Sequence, residues 1–255
     1  TRSLIVTGVQ TCALPIYLGA CWNEFSVDGA MANVCARVEQ PLREVVGATV
    51  LKPQDTVGIL KLGGTILGTS NTASPFAWRG ADVSADVVAY QRELGLDALV
   101  AIGGDGTMTI AARLGAVGGV PMVGVPKTID NDIAGCERSF GFDTAVATVT
   151  DALERVQTTG QSHGRVMIVE TMGRYAGWIA LEAGIAGAAD VILLPEIDYD
   201  VARIAEVCRA RSARRRATLV CIAEGAKPAG GAMTVIGTLA GDKNLSKWGG
   251  LLSLA

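Results

Sequence analysis

Short apolar runs alternate along the middle of this chain with longer segments in which apolar side chains recur every three or four positions. Leu99–Ile102 is one such run, stopping at Gly103-Gly104, and a helix is expected from about Thr107, where Ile110, Ala111 and Leu114 share a face. Val120–Val125 repeats the run and stops at Pro126. After a polar loop, a helix from about Asp143 to Gln157 is expected to bury Val146, Val149, Leu153 and Val156. A third strand, Val166–Glu170, leads through Met172-Gly173-Arg174 into a helix over Tyr175–Ala188. Val191–Leu194 reads as a fourth strand, Val201–Arg211 as a helix, and Thr218–Ala223 as a fifth strand ending at Glu224. Alternation of this kind predicts an α/β fold: mostly parallel sheets with helices on both faces, joined by right-handed crossovers. Ligands of such sheets collect at the carboxyl ends of the strands. The loops after Ile102, Val125, Glu170 and Ala223 are therefore the places to look for chemistry.

Composition narrows the class. The chain has 255 residues, 49% hydrophobic and 18% charged, enough core material for one large or two modest domains and too much for a disordered spacer. Twenty-five acids against 22 bases give a net charge of -3, so no overall positive field gathers nucleic acid or anionic lipid. No continuous apolar stretch reaches the roughly 18 residues of a membrane helix. The 32 glycines exceed the usual ~7% and have no three-residue period, which excludes collagen and suggests turns that approach a ligand. Six cysteines without a CxxC pair, and the single histidine His163, make a zinc cage of ordinary spacing improbable. Reduced thiols, and hence a cytoplasmic compartment, are expected.

The amino terminus is of another kind. Ser3–Asn23 carries no charge, and with Arg2 in front it has the outline of a secretory signal peptide, interrupted by Thr7, Gln10, Thr11 and Pro15. Val6–Ile16, VTGVQTCALPI, is better explained as the translation of a sequencing adapter, which makes residues 1–16 an expected artefact rather than native sequence.

Two of the loops carry reactive groups. Gly103-Gly104-Asp105-Gly106-Thr107 joins a strand to a helix, and its exposed N–H groups and the helix dipole favour a phosphate. Asp105 can hold Mg²⁺, which prefers oxygen ligands and is commonly shared between one carboxylate and substrate phosphates; a plain helix cap explains the same residue. Pro126-Lys127-Thr128-Ile129-Asp130-Asn131-Asp132 offers two carboxylates, a hydroxyl and an ammonium in one turn, the groups needed for a general base, a metal contact and a phosphate partner. The alternative is an Asx-turn with solvated acids.

Six motifs then resemble the phosphofructokinase family, in the same order and at matching intervals. They are GGDGT at 103–107, PKTIDND at 126–132, GFDTA at 141–145, SHGRV at 162–166, MGRYAGW at 172–178 and AEGAKP at 223–228, with GGTILGTS at 63–70 in addition. The resemblance implies two Rossmann-like lobes, incomplete here. The phosphoryl-donor lobe is expected over 17–141 and the sugar-phosphate lobe over 142–255. It implies transfer of a phosphoryl group from ATP to the C1 hydroxyl of fructose 6-phosphate, with Asp130 as base, Asp132 and Lys127 assisting, and Thr128 on substrate or transferring phosphate. Gly103, Gly104, Asp105, Gly106 and Thr107 would cradle the donor, with Mg²⁺ on Asp105. Met172, Gly173, Arg174 and Glu224 would hold the sugar. Arg165 matches an arginine that reaches the sugar phosphate of a neighbouring subunit, which implies a homo-oligomer, a dimer or tetramer.

Gly106 stands where members selective for pyrophosphate tend to carry an aspartate, which favours ATP, whereas Lys127 is typical of pyrophosphate users. Asn71 replaces an arginine that relatives carry beside the donor's phosphates. The family's opening strand, its first glycine loop and its late sugar-phosphate arginines have no counterpart, so a fragment with little or no activity is expected. Two other classes stay open: a kinase for another acceptor sharing the GGDG loop, and a noncatalytic or regulatory subunit. His163 is expected to be structural. Arg209, Arg211, Arg214, Arg215 and Arg216 are expected to form a solvated helix end, where cations suit the dipole.

Overall fold

A computed structural model describes residues 3–8, 57–59, 74–78 and 80–232. The segments GGTILGTS at 63–70, Asn71, residues 9–16 of the adapter-like stretch and Lys243–Ala255 lie outside the described residues. The chain divides into two compact units, Thr1–Thr128 with Ile133–Gly141 and Ile129–Asp132 with Phe142–Ala255. The turn bearing Asp130 and Asp132 thus belongs with the second unit.

The first unit holds a four-stranded parallel sheet in the order β1-β2-β3-β4: β1 Ser3–Gly8, β2 Leu96–Gly103, β3 Met122–Thr128 and β4 Phe140–Gly141. The backbone of β1 pairs in parallel with β2, from Ser3 beside Leu96 to Gly8 beside Ile102. Among the described residues two helices accompany the sheet, α1 Ser84–Glu93 and α2 Asp105–Gly118. Val87 and Val88 of α1, Leu114 of α2 and Val120 form one core cluster, with Leu99, Ile110 and Met122 packed against it. α1 was not expected from the sequence. Its buried face is Ser84, Val87, Val88, Tyr90 and Gln91, so two polar residues break the apolar stripe that would announce a helix. Gln91 Nε2 donates to Leu96 O, which makes burial of that amide tolerable.

The second unit has a three-stranded parallel sheet in the order β5-β7-β6: β5 Val166–Thr171, β6 Val191–Leu193 and β7 Thr218–Ala223. β7 lies in the middle and all six of its residues are buried, which explains its unbroken apolar run. Its side chains alternate between two cores. Leu219, Cys221 and Ala223 pack with Leu153 of α3 Phe142–His163 and with Ala180 and Ala183 of α4 Trp178–Ala186. Val220 and Ile222 pack on the other face with Leu193, Tyr199 and Ile204, the last from α5 Val201–Ala213. Asp200 caps α5, its Oδ1 accepting from Ala202 N at 2.8 Å and Arg203 N at 3.4 Å. Helices therefore cover both faces of this sheet, as the alternation predicts.

Candidate functional site

The glycine loop closes β2 and opens α2. Gly104 sits at the N-cap in extended backbone, no side chain caps the helix, and Met108 N donates to Gly104 O at 3.0 Å. Among the described residues no N-cap side chain takes the first-turn N–H groups of α2, an arrangement that suits an anion. Gly103 is required by space: a Cβ there would lie 2.6 Å from Thr107 Oγ1 and 2.7 Å from Thr107 Cβ. Gly106 is unobstructed, a Cβ meeting nothing within 4 Å. Asp105, in the first turn and exposed, presents one carboxylate. Among the described residues no group of three or more His, Cys, Asp or Glu gathers to hold a metal. A lone carboxylate suits Mg²⁺, whose remaining ligands are commonly water and substrate phosphate oxygens.

The second loop is shorter than its sequence suggests. β3 does not stop at Pro126 but continues to Thr128, because it changes neighbours there: its last pair with β2 is Gly103 beside Pro126, and β4 then takes over at Lys127 beside Phe140 and Thr128 beside Gly141. A proline, which cannot donate to a ladder, is tolerated at such a hand-over. Lys127 and Thr128 are consequently buried strand residues, at 7% and 3% exposure. Ser139 Oγ donates to Thr128 O at 2.8 Å, tying the end of β3 to the segment before β4. Asn131 then takes a left-handed conformation, φ 54°, which asparagine tolerates better than most residues.

Within the second unit, Asp130 meets charges from three other places in the sequence. Burial, then Asp132 and then Glu224 raise its carboxyl to about 6, while Arg174 pulls in the opposite direction. Arg174 follows β5 and Glu224 follows β7, so the turn after β3 and the carboxyl ends of two strands supply these groups. Glu224 N donates to Thr171 O at 2.9 Å and Gly225 N to Gly173 O at 3.0 Å, joining the two strand ends. Gly173 has φ +139°, and a Cβ there would come 2.7 Å from Ala176 O. The Arg174 guanidinium lies 5.9 Å from the centre of the exposed Tyr175 ring.

Glu170 escapes sequence reasoning. It ends a run that reads as ordinary core strand, yet burial and then the charge of Glu224 raise its carboxyl. Among the described residues, Glu170 Oε1 and Thr171 Oγ1 are buried without a hydrogen-bond partner. Only an acid at the carboxyl end of an apolar run hints at this.

Arg165 stands apart. It precedes β5, donating its N–H to Gly160 O at 3.0 Å, whereas Arg174 follows the other end of that strand. Six residues of strand, about 20 Å at ~3.3 Å each, separate the two ends. His163 is exposed at the last position of α3. In the basic cluster, Arg211 is engaged rather than solvated: its Nη2 lies 2.7 Å from Asp190 Oδ1, and Nε and Nη2 donate to Ala217 O. A cavity of about 310 Å³ beside it is lined by Asp190, Arg211, Arg215, Arg216 and Thr218, at the amino end of β7 and away from the loops above.

The family description Phosphofructokinase matches residues 29–247. The chain belongs to the phosphofructokinase family. An ATP-dependent 6-phosphofructokinase of Chloroflexus aggregans is 51% identical over 189 residues, 71% of this chain and 52% of the relative. A pyrophosphate–fructose 6-phosphate 1-phosphotransferase of Streptomyces coelicolor is 48% identical over 178 residues, 70% of this chain and 51% of the relative. The chain spans about half the length of the curated relatives it matches. Among solved structures, the phosphofructokinase of Saccharomyces cerevisiae superposes with a TM-score of 0.68 at 25% identity, covering 89% of this chain and 34% of that one. The phosphofructokinase-like α/β fold expected from the sequence agrees with these likenesses. No described helix is long and apolar enough to cross a membrane.

Proposed function

We propose that this chain carries phosphoryl-transfer machinery of an ATP-dependent 6-phosphofructokinase, which moves the γ-phosphoryl group of ATP to the C1 hydroxyl of fructose 6-phosphate and yields fructose 1,6-bisphosphate. The observation that carries this reading is Asp130, a half-buried carboxyl raised to about 6 among Asp132, Glu224 and Arg174. A base with that affinity is ionised near neutral pH yet holds a proton more firmly than an ordinary carboxylate, which suits general base catalysis.

Asp130 takes the proton of the C1 hydroxyl as that oxygen attacks, and Asp132 and the Lys127 ammonium assist. Thr128 contacts substrate or transferring phosphate. Met172, Gly173, Arg174 and Glu224 bind the sugar phosphate. Gly103, Gly104, Gly106 and Thr107 receive the donor on the uncapped first turn of α2. Asp105 holds Mg²⁺, which when bound neutralises phosphate charge. Arg165, set at the far end of β5 from Arg174, serves the sugar phosphate of a neighbouring copy in a homo-oligomer. A cytoplasmic setting fits free thiols at Cys136, Cys208 and Cys221.

Pyrophosphate is the second donor to consider, because pyrophosphate-dependent relatives are nearly as similar as ATP-dependent ones. The open space at Gly106 favours the bulkier donor. A coupled assay on the full open reading frame, with fructose 6-phosphate and Mg²⁺, tests both. Turnover with ATP supports the proposal, turnover with pyrophosphate alone transfers it to the second donor, and turnover with neither leaves a noncatalytic subunit or another acceptor.

A further inference from the structure

Glu224 and Arg174 stand on separate segments, the end of β7 and the turn after β5. One residue between them has no functional group. Gly225 N donates to Gly173 O at 3.0 Å, directly after Glu224 N donates to Thr171 O at 2.9 Å, so the strand pairing of β5 and β7 is prolonged into the turns. The approach is closer than any side chain allows. A Cβ at position 225 would lie 2.0 Å from Arg174 O, 2.6 Å from Arg174 C and 2.9 Å from Gly173 O. All three are backbone atoms, so no rotamer change makes room. Gly173 is equally constrained, its Cβ position being 2.7 Å from Ala176 O and 3.4 Å from Ala223 Cβ. Gly225 therefore lets the backbone of one turn seat against the other, while Gly173 lets its own turn close on Ala176.

We infer that Gly225 is a positioning residue of the sugar-phosphate site, setting the spacing between the Glu224 carboxylate and the Arg174 guanidinium so that both engage one phosphorylated polyol. This rests on the reading of that site given above. Arg174 and Glu224 also act on the Asp130 carboxyl in opposite directions, so the same seating governs their balance there. Gly225→Ala must push the Gly173-Arg174 backbone away, and a displacement of about 1 Å in a substrate-positioning group can cost as much as 100-fold.

The test compares wild type, Gly225→Ala and Gly160→Ala in the full open reading frame. Gly160 serves as the structural control: its Cβ would meet Met167 Cγ at 2.6 Å, in the core of the same unit. Gly225→Ala is expected to raise KM for fructose 6-phosphate roughly 10- to 100-fold with KM for ATP unchanged, and to shift the acid limb of the kcat/KM–pH profile. Gly160→Ala is expected to lower Tm and leave both KM values in place. Should Gly225→Ala not fold, hydrogen exchange on the wild type decides: saturating fructose 6-phosphate should protect the amides of 173–175 and 224–226 together. An unchanged sugar KM in a folded Gly225→Ala, or unchanged exchange in both segments, overturns the inference alone. Wild type that neither binds nor phosphorylates fructose 6-phosphate removes the sugar-phosphate reading and this inference with it.

Discussion

Glu224, just beyond β7, and Asp130, in the turn after β3, are held in one electrostatic neighbourhood despite their distance in sequence. After burial and Asp132, Glu224 is the next cause that raises the Asp130 carboxyl to about 6. Carboxyls raised by burial and by like charges cluster at functional sites.

Replacing Asp130 with Asn is expected to lower kcat by roughly 10²- to 10⁴-fold, the usual contribution of a general base, with KM for fructose 6-phosphate nearly unchanged. Stability should move the other way. The Asp130 carboxyl binds its proton more tightly folded than unfolded, so its stabilising contribution is complete below about 4 and is lost as pH rises through about 6. At pH 7.5 the wild type carries a buried charge that the amide lacks, and calorimetry should find Asp130→Asn with the higher Tm. Wild-type turnover in this variant removes Asp130 from the mechanism.

The kcat/KM–pH profile should show an acid limb near pH 6, well above the ordinary aspartate range, because the active form is the deprotonated base. A limb near 4, or none down to pH 5, contradicts the assignment.

Glu224→Gln and Arg174→Gln should displace that limb in opposite directions, as well as raising KM for the sugar. Removing Glu224 takes away a negative charge and lowers the limb, whereas removing Arg174 takes away a positive one and raises it. Shifts of the same sign in the two variants would mean that these residues do not act on the base through their charges.

On the donor side, Gly103→Ala should raise KM for ATP about tenfold or more while the sugar KM stays put. The new methyl group would meet Thr107 at 2.6–2.9 Å, and a β-branched side chain in a helix has little rotamer freedom to yield. Gly118→Ala, whose Cβ would strike Val88 at 2.4 Å between α2 and α1, serves as the comparison: lower Tm with both KM values intact.

Leu153 is fully buried between α3, α4 and the second sheet, and a Cβ at Gly187 would press against it at 2.8 Å. Leu153→Ala should cost about 2–5 kcal/mol, read as a fall in Tm without a change in donor preference.

Much of this molecule follows from local pattern. The apolar spacing of Val146, Val149, Leu153 and Val156 names the face of α3 that packs, and the unbroken run Thr218–Ala223 names the central strand. α1 could not be read in the same way, since Ser84 and Gln91 sit on its buried face, where Gln91 Nε2 donates to Leu96 O just beyond the helix. Tyr175–Gly177 looked helical but lies outside α4, where Glu196 Oε1 accepts from Gly177 N at 2.8 Å and anchors the turn. The run of residues after Val125 looked like loop, and pairing with β4 carried the strand on to Thr128.

The order of side chains alone determined the alternating α/β plan, the chemical groups at each strand end and the family, because periodicity and motif spacing are properties of neighbours along a chain. It took the folded chain to bury Lys127 and Thr128, to set Arg165 at the opposite end of β5 from Arg174, to leave Glu170 Oε1 without a hydrogen-bond partner among the described residues, and to press Gly225 against Gly173. Those outcomes depend on which remote backbone or charge lies a few ångströms away, and burial and Coulomb energy act through space rather than along the sequence.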